Sequence, residues 1–155
     1  MFQSSVRAAL ASGIVGDIIN DSPQRVIPAI LDSASAANNV IGRAFFHAAG
    51  DDLKVSAEGA DTLVFAGILI NSKQYALTGL AATLTLPNEA EVSVMQMGYV
   101  IVNLTTAGTI GQEIFADDAT GELRAGTAAG HTAIPAVVAY QNTDGAGLAI
   151  IKITN

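Results

Sequence analysis

Few side chains in this sequence have the types and spacing that catalysis or metal binding requires. His47 and His131 are the only histidines, and cysteine is absent. A zinc or copper site needs three or four nitrogen, sulfur or carboxylate donors, and the chain has no HExxH motif. A Ser-His-Asp triad could use either histidine, but no GxSxG motif selects a serine. We therefore predict no catalytic residue, no metal site and no cofactor.

Two acidic pairs, Asp51–Asp52 and Asp117–Asp118, are the remaining candidates for chemistry. Paired carboxylates can bind calcium or act as acid and base. Each pair precedes residues typical of a turn, where aspartate is favoured because it accepts hydrogen bonds from nearby backbone N–H groups. Turn formation is the preferred interpretation, and a cation site is the alternative.

The composition indicates a protein whose surface is largely covered by other proteins. Of the 155 residues, half are hydrophobic and only 14% are charged, compared with about 25% in an ordinary soluble domain. The net charge is −7, and the seven basic residues are scattered singly. No basic stripe is available to neutralise phosphates, so we expect no nucleic-acid partner.

One uncharged segment, residues 92–112, is long enough to span a bilayer. Glycine, glutamine, asparagine and threonine interrupt it, and its apolar residues alternate as in a strand. A membrane helix has a denser apolar run. We therefore expect no membrane partner and assign the missing surface charge to protein contacts.

The chain divides into two parts by pattern. Residues 1–34 contain Gly13, Gly16, Pro23 and Pro28, which disfavour a continuous helix and favour extended backbone. We predict an extended N-terminal arm there and a β-rich body over residues 35–155.

Strand patterns dominate the body. Short apolar or alternating segments recur at Leu63–Ile70, from Val92 onward, and twice near the C-terminus, separated by turn residues. Residues 112–126 have the pattern of a hairpin with a five-residue tip that contains Gly121. The alternation shifts near Met95 and Gly98, which indicates a bulge. The predicted fold class is all-β, a small β-sandwich or barrel with the extended arm.

An ordered set of short patterns resembles the capsid cement (decoration) proteins of tailed bacteriophages. The set comprises Gly16-Asp17, "DSPQRVIPAIL", "AANNVIGRAF", "FAGILINSKQYAL", "GYVIVNL" and "GQEIFADDATGELRAG". The order and spacing of the patterns carry the resemblance, because each is weakly specific alone.

The resemblance implies a structural, non-enzymatic protein that binds the outer surface of a tailed-phage head and stabilises the capsid lattice. Its partners would be the major capsid protein and itself, with a homotrimer favoured over a homodimer. It would be made in the host bacterial cytoplasm and lie on the capsid exterior of the virion. Within the resembling segments we expect partner contacts from Asp17, Arg25, Arg43 and Tyr75.

Two other interpretations remain open at the level of sequence. A tail or baseplate component would share the β-rich, charge-poor composition. A host- or polysaccharide-binding β module is less attractive because the chain has no tryptophan to stack on sugars.

Overall fold

The computed structural model describes residues 13–19, 23–71, 85–140 and 142–154. These residues form ten strands and one turn of 3-10 helix, and no helix among them has the length and hydropathy needed to cross a bilayer. The all-β prediction is confirmed. The elements are β1 (Ile18–Ile19), β2 (Arg25–Leu31), the 3-10 turn (Ala36–Asn38), β3 (Ala44–Ala48), β4 (Asp51–Ser56), β5 (Phe65–Leu69), β6 (Glu91–Leu104), β7 (Glu113–Asp117), β8 (Leu123–Ala125), β9 (His131–Ala139) and β10 (Gly147–Thr154).

The strands form one sheet that curls into two closed rings joined by β6. β10, β9, β7 and β8 close on the C-terminal half of β6, and we call this barrel the C-terminal ring. β2, β4, β3 and β5 close on the N-terminal half of β6 and form the N-terminal ring. Of the two predicted architectures, the protein therefore has the barrel.

β6 can belong to both rings because it is 14 residues long and carries buried side chains along its whole length. Val94 lies in the core of the N-terminal ring and Val102 in that of the C-terminal ring. Between them, Gln96 is an extra residue against β2, since Arg25 is opposite Met97 while Val26 is opposite Met95. The predicted bulge is present there, two residues before Gly98.

Residues 112–126 form the predicted hairpin. β7 pairs with β8 in antiparallel register, and five residues, 118–122, make the tip. Asp117 N–H donates to the carbonyl of Glu122 at 2.8 Å and closes the tip. Gly121 has φ of +69°, in the left-handed region that glycine enters without strain.

The two rings enclose separate hydrophobic clusters. Adjacent residues of β3 face different clusters, with Phe45 in the N-terminal ring and Phe46 in the larger cluster centred on the C-terminal ring. Both side chains are at most 1% exposed. Because side chains alternate along a strand, β3 joins the two cores as β6 does.

Part of the segment predicted as an arm is built into the body. Arg25–Leu31 form β2, between β6 and β4, and Leu31 is fully buried. Ile18–Ile19 pair with β6 as β1. Residues 1–12 lie outside the described residues, so the arm itself, and the division at residues 34 and 35, stay predictions.

Candidate binding surfaces

The Gly16–Asp17 pair holds the segment before β1 against β6. Gly16 N–H donates to the carbonyl of Ile101 at 2.7 Å, and Ile101 N–H donates to that of Asp17 at 3.0 Å. Gly16 has φ of +85°, and a Cβ there would lie 2.6 Å from the backbone nitrogen of Asn71. The pair therefore acts through its backbone, and a contact of the Asp17 side chain with a partner stays a prediction.

Of two further predicted contact residues, the structure describes Arg25 but not Tyr75. Arg25 is exposed at the start of β2 and has no ion pair among the described residues. Tyr75 lies outside the described residues, so its contact stays a prediction.

Arg43 links the two rings. One guanidinium nitrogen donates to Asn38 Oδ1 and to the carbonyl of Thr120, both at 3.1 Å, and the other pairs with the Glu122 carboxylate. Its side chain is only 19% exposed. Arg43 thus attaches the β7–β8 tip to the start of β3, and a partner contact by this residue stays a prediction.

Glu58 is the centre of a polar cluster beside Arg43 that the sequence patterns do not single out. Its carboxylate accepts hydrogen bonds from Ser56 Oγ at 2.6 Å, Asn38 Nδ2 at 2.8 Å, Ala34 N–H at 3.0 Å and Ser35 N–H at 3.2 Å. Burial raises the pKa of Glu58, but these hydrogen bonds together hold the pKa below its ordinary value of 4.5. Of this cluster, only Asn38 could have been noticed in the sequence, because it lies within the segment "AANNVIGRAF".

This depressed pKa predicts an acid-dependent loss of stability. A carboxylate with a lower pKa in the folded state contributes stability above its unfolded pKa, and the contribution is lost as the pH falls through the folded pKa. Glu58→Gln should therefore lower the free energy of unfolding at pH 7 by about 1 kcal/mol and flatten its decline below about pH 4.5. Urea unfolding from pH 3 to pH 7 measures both effects.

Asp61→Asn is the matched control for Glu58→Gln, because Asp61 is an exposed carboxylate two residues after Gly59. It should leave the pH profile unchanged. Profiles of Glu58→Gln and wild type that run parallel across the whole pH range would contradict the role of Glu58.

The two histidines are placed separately. His47 Nδ1 lies 3.1 Å from the carbonyl of Asp52, and His131 Nδ1 lies 3.0 Å from that of Ala129. His131 Nε2 is 3.6 Å from the Asp117 carboxylate. Among the described residues, no group of three or more histidine, aspartate or glutamate side chains is arranged to hold a metal ion.

Asp117–Asp118 leads into a turn, whereas Asp51 and Asp52 are the first residues of β4 and follow a turn at residues 49–50. Asp51 Oδ1 accepts a hydrogen bond from Leu53 N–H at 3.0 Å, and Asp117 Oδ1 accepts one from Ala119 N–H at 2.9 Å. Asp118 Oδ1 accepts one from Thr132 Oγ1 at 2.8 Å. The bonds that Asp51 and Asp117 accept from N–H groups two residues later are local, as expected of aspartate near a turn. The bond from Thr132 instead joins Asp118 to β9.

Exposed apolar side chains are the clearest surface feature. Leu53 and Val64 lie on the N-terminal ring side, and Tyr140 and Leu148 on the C-terminal ring. The Tyr140 ring lies 5.0 Å from the Tyr99 ring. Among the residues that the structure describes, the exposed large hydrophobic ones are Ile14, Val26, Leu53, Val64, Ile110, Tyr140 and Leu148.

Comparison with known proteins gives the class. Residues 2–154 match the profile of a phage family described as "Structural cement protein (E217 gp24/Pam3 gp6)". The chain therefore belongs to this family of phage cement proteins. It is a structural protein of the virion with a cement (decoration) role on the capsid, as the resemblance implied.

A solved structure has the same fold. A chain from "The capsid of Myoviridae Phage XM1" superposes with a TM-score of 0.71 at 17% sequence identity, over 99% of this chain and 98% of that one. A comparison with curated proteins gave no significant sequence match. Membership of a structural family favours a non-enzymatic role.

Proposed function

We propose that the protein acts on the outside of an assembled tailed-phage head, as a homotrimer that bridges copies of the major capsid protein. It is made in the host bacterial cytoplasm and added to the capsid exterior. The family match over residues 2–154 is the observation that carries this proposal. The exposed apolar side chains on both rings support it, because they offer more than one contact surface in a chain with few charges.

The stabilisation follows from mass action. A protein that binds the assembled shell, and not its separate subunits, lowers the free energy of the shell. Each contact can be weak, because a trimer that touches several capsid subunits gains from a high effective concentration. Asp17, Arg25, Arg43 and Tyr75 remain the proposed contact residues. Arg25 has the strongest support among them, because it is exposed and forms no ion pair with the residues that the structure describes.

Co-sedimentation with undecorated heads tests this function. We expect saturable binding to heads, little binding to unassembled capsid subunits, and light scattering of the free protein at three times the chain mass. Binding to tails or baseplates but not to heads would identify another virion component. Binding to host cells or polysaccharide in place of heads would identify an adhesion module.

Removal of residues 1–12 tests the arm. The truncated protein should bind heads about tenfold more weakly, because each copy loses contacts that the trimer makes in parallel. Its melting temperature should stay within about 2 °C of wild type, since the ten strands begin after residue 13. The cut stops before Val15, which is 7% exposed and packs against the position of Gly42.

A chain in which residues 2–12 are replaced by a glycine–serine segment of equal length is the control. It keeps the length and loses the side chains, so it should bind as weakly as the truncation. Wild-type affinity in the truncated protein would show that the arm does not contribute.

A further inference from the structure

The outside of the C-terminal ring is apolar where β9, β10 and β6 lie side by side. On each of these strands alternate side chains point into the ring, for example Val138, Ile151 and Val102. The residues between them therefore point outward. We call this surface the outer face, and its apolar residues are Tyr99, Ile101, Val137, Ala139, Leu148 and Ile150.

The composition of the outer face is unusual for the outside of a closed barrel, whose core lies inside. Ile101, Ala139 and Ile150 form a small hydrophobic cluster there, each at most 9% exposed. Around them Leu148 is 39% exposed and Tyr140 is 47% exposed. An antiparallel sheet normally presents polar residues to solvent, so an apolar row of this length indicates a surface that another molecule covers.

One cation, Lys152, lies within the outer face. The residues opposite it are Tyr99 on β6 and Val137 on β9, and its neighbours on the same side of β10 are Ile150 and Thr154. Lys152 Nζ lies 5.9 Å from the centroid of the Tyr99 ring. Lys152 is exposed and forms no ion pair within the part of the chain that the structure describes.

One carboxylate, Asp17, lies on the same face beyond β6. Ile18 packs against the cluster inside the ring and Ile19 against the cluster outside it, so Asp17 points outward as Ile19 does. Ile101 N–H donates to the carbonyl of Asp17, which places Asp17 one strand beyond β6. β10 lies on the other side of β6, so Asp17 and Lys152 are separated by roughly 10 Å of sheet. No ion pair joins them, and none involves Asp17 in the described ranges.

This arrangement of charges identifies the molecule that covers the face. One cation and one anion lie on opposite sides of an apolar centre, and neither forms an ion pair with a described residue. Such a face is complementary to a second copy of itself, because the cation of one copy can meet the anion of the next while the apolar centres pack. Around a threefold axis every copy makes this contact with its neighbour in the same sense.

The charge of the rest of the chain favours the same surface. With a net charge of −7, two copies repel each other over most orientations. They approach most easily where carboxylates are few. The family match also favours self-association.

Tyr140 adds backbone strain at the outer face. It follows β9 directly and has φ of +63°, a left-handed conformation that bulky side chains rarely adopt. In this conformation its ring lies 5.0 Å from the Tyr99 ring. Strain of this kind persists where the side chain it positions has a use, and tyrosine is a common anchor of protein interfaces.

We infer that the outer face of the C-terminal ring is the contact between copies of this chain, in which Lys152 of one copy pairs with Asp17 of the next. This inference rests on the proposed homotrimer and names the surface that forms it. The apolar centre supplies the buried area, and the ion pair fixes the orientation of the copies.

Reversal of the two charges tests the pairing in full-length protein. Lys152→Glu and Asp17→Lys should each raise the dissociation constant of the oligomer about tenfold or more, because each places like charges opposite one another. The two changes combined restore an opposite pair and should return the dissociation constant to within about threefold of wild type. Light scattering over a dilution series measures the mass, and circular-dichroism melts show that the variants are folded.

Arg124→Glu is the matched control for the charge. Arg124 also points outward from the C-terminal ring, since Leu123 and Ala125 lie in its core, but β8 does not border β10. This variant makes the same charge change outside the outer face and should dissociate within about twofold of wild type.

Leu148→Ser tests the apolar part of the face and should raise the dissociation constant about fivefold or more. Val64→Ser is its control, because Val64 is 73% exposed and lies on the N-terminal ring side. It should leave the dissociation constant within about twofold of wild type.

The outcomes separate the outer face from the proposed function. If wild type is a trimer and Lys152→Glu and Leu148→Ser dissociate no more readily than wild type, the inference is wrong while the trimer stands. If both variants keep the trimer mass but bind undecorated heads more weakly, the capsid covers the face and the inference is again wrong. Losses in both single charge variants without recovery in the combined variant would overturn the pairing of Lys152 with Asp17. A wild type that scatters as a monomer overturns the proposed homotrimer and this inference together.

Discussion

Replacing Gly121 with alanine should lower the free energy of unfolding by about 3 kcal/mol, the sum of backbone strain and a steric clash. A Cβ at this position would lie 2.5 Å from the carbonyl oxygen of Ala44 and 2.9 Å from that of Ala57. Both atoms belong to backbone, which cannot move aside as a side chain can. The β7–β8 tip would then separate from β3, and the Arg43–Glu122 pair would weaken.

Gly130→Ala is the control that measures the cost of the left-handed backbone conformation without a steric clash. Gly130 has φ of +70°, within a degree of Gly121, and a Cβ there would have no heavy atom within 4 Å. This substitution should lower the free energy of unfolding by only about 1 kcal/mol. Urea denaturation of both variants gives the comparison, and equal losses would show that the close approach of the tip to Ala44 and Ala57 does not contribute.

Phe45→Ala should lower the free energy of unfolding by about 3–5 kcal/mol, because it opens a cavity in the core of the N-terminal ring. Phe45 is fully buried among residues of β2, β4, β5 and β6. Because β3 and β6 serve both rings, we expect the whole protein to unfold in a single transition at a lower temperature. Differential scanning calorimetry measures both the loss of stability and the number of unfolding transitions.

Phe45→Leu is the conservative control and should cost about 1 kcal/mol. Phe46→Ala opens a cavity in the neighbouring cluster and should lower the free energy of unfolding by a similar amount to Phe45→Ala. Two separate transitions in Phe45→Ala would contradict the account of two rings fused through shared strands.

Much of the body could be predicted from local pattern. The hairpin at residues 112–126 was recognisable because two apolar strands flank a tip with a glycine at the position that needs positive φ. The bulge in β6 was visible because apolar residues change faces between Met95 and Gly98. Local signals of this kind are set by a few neighbouring residues.

The closure of the two rings could not be predicted in the same way. It depends on pairings between distant segments, such as β10 with β6 and β5 with β6, and no short-range pattern specifies them. The insertion of β2 into the N-terminal ring was missed for the same reason. Pro28 favoured an arm, yet proline is tolerated in β2 because β4 pairs only with Ile30 and Leu31, and no other described strand pairs with that edge at Pro28.

Among the candidate contact residues, too, some could be chosen from the sequence and others are visible only in the structure. Arg43 was chosen for its place in a resembling segment, and the structure adds that its guanidinium is used by Asn38, Thr120 and Glu122. Leu53 gave no signal, because its exposure on the surface beside Ile30 is visible only in the structure.

Cryo-electron microscopy of undecorated heads mixed with the purified protein tests the central claim most directly. We expect added density on the outer surface of the shell, with three copies around each site. Bare heads at saturating protein, or density only on tails or inside the shell, would contradict it.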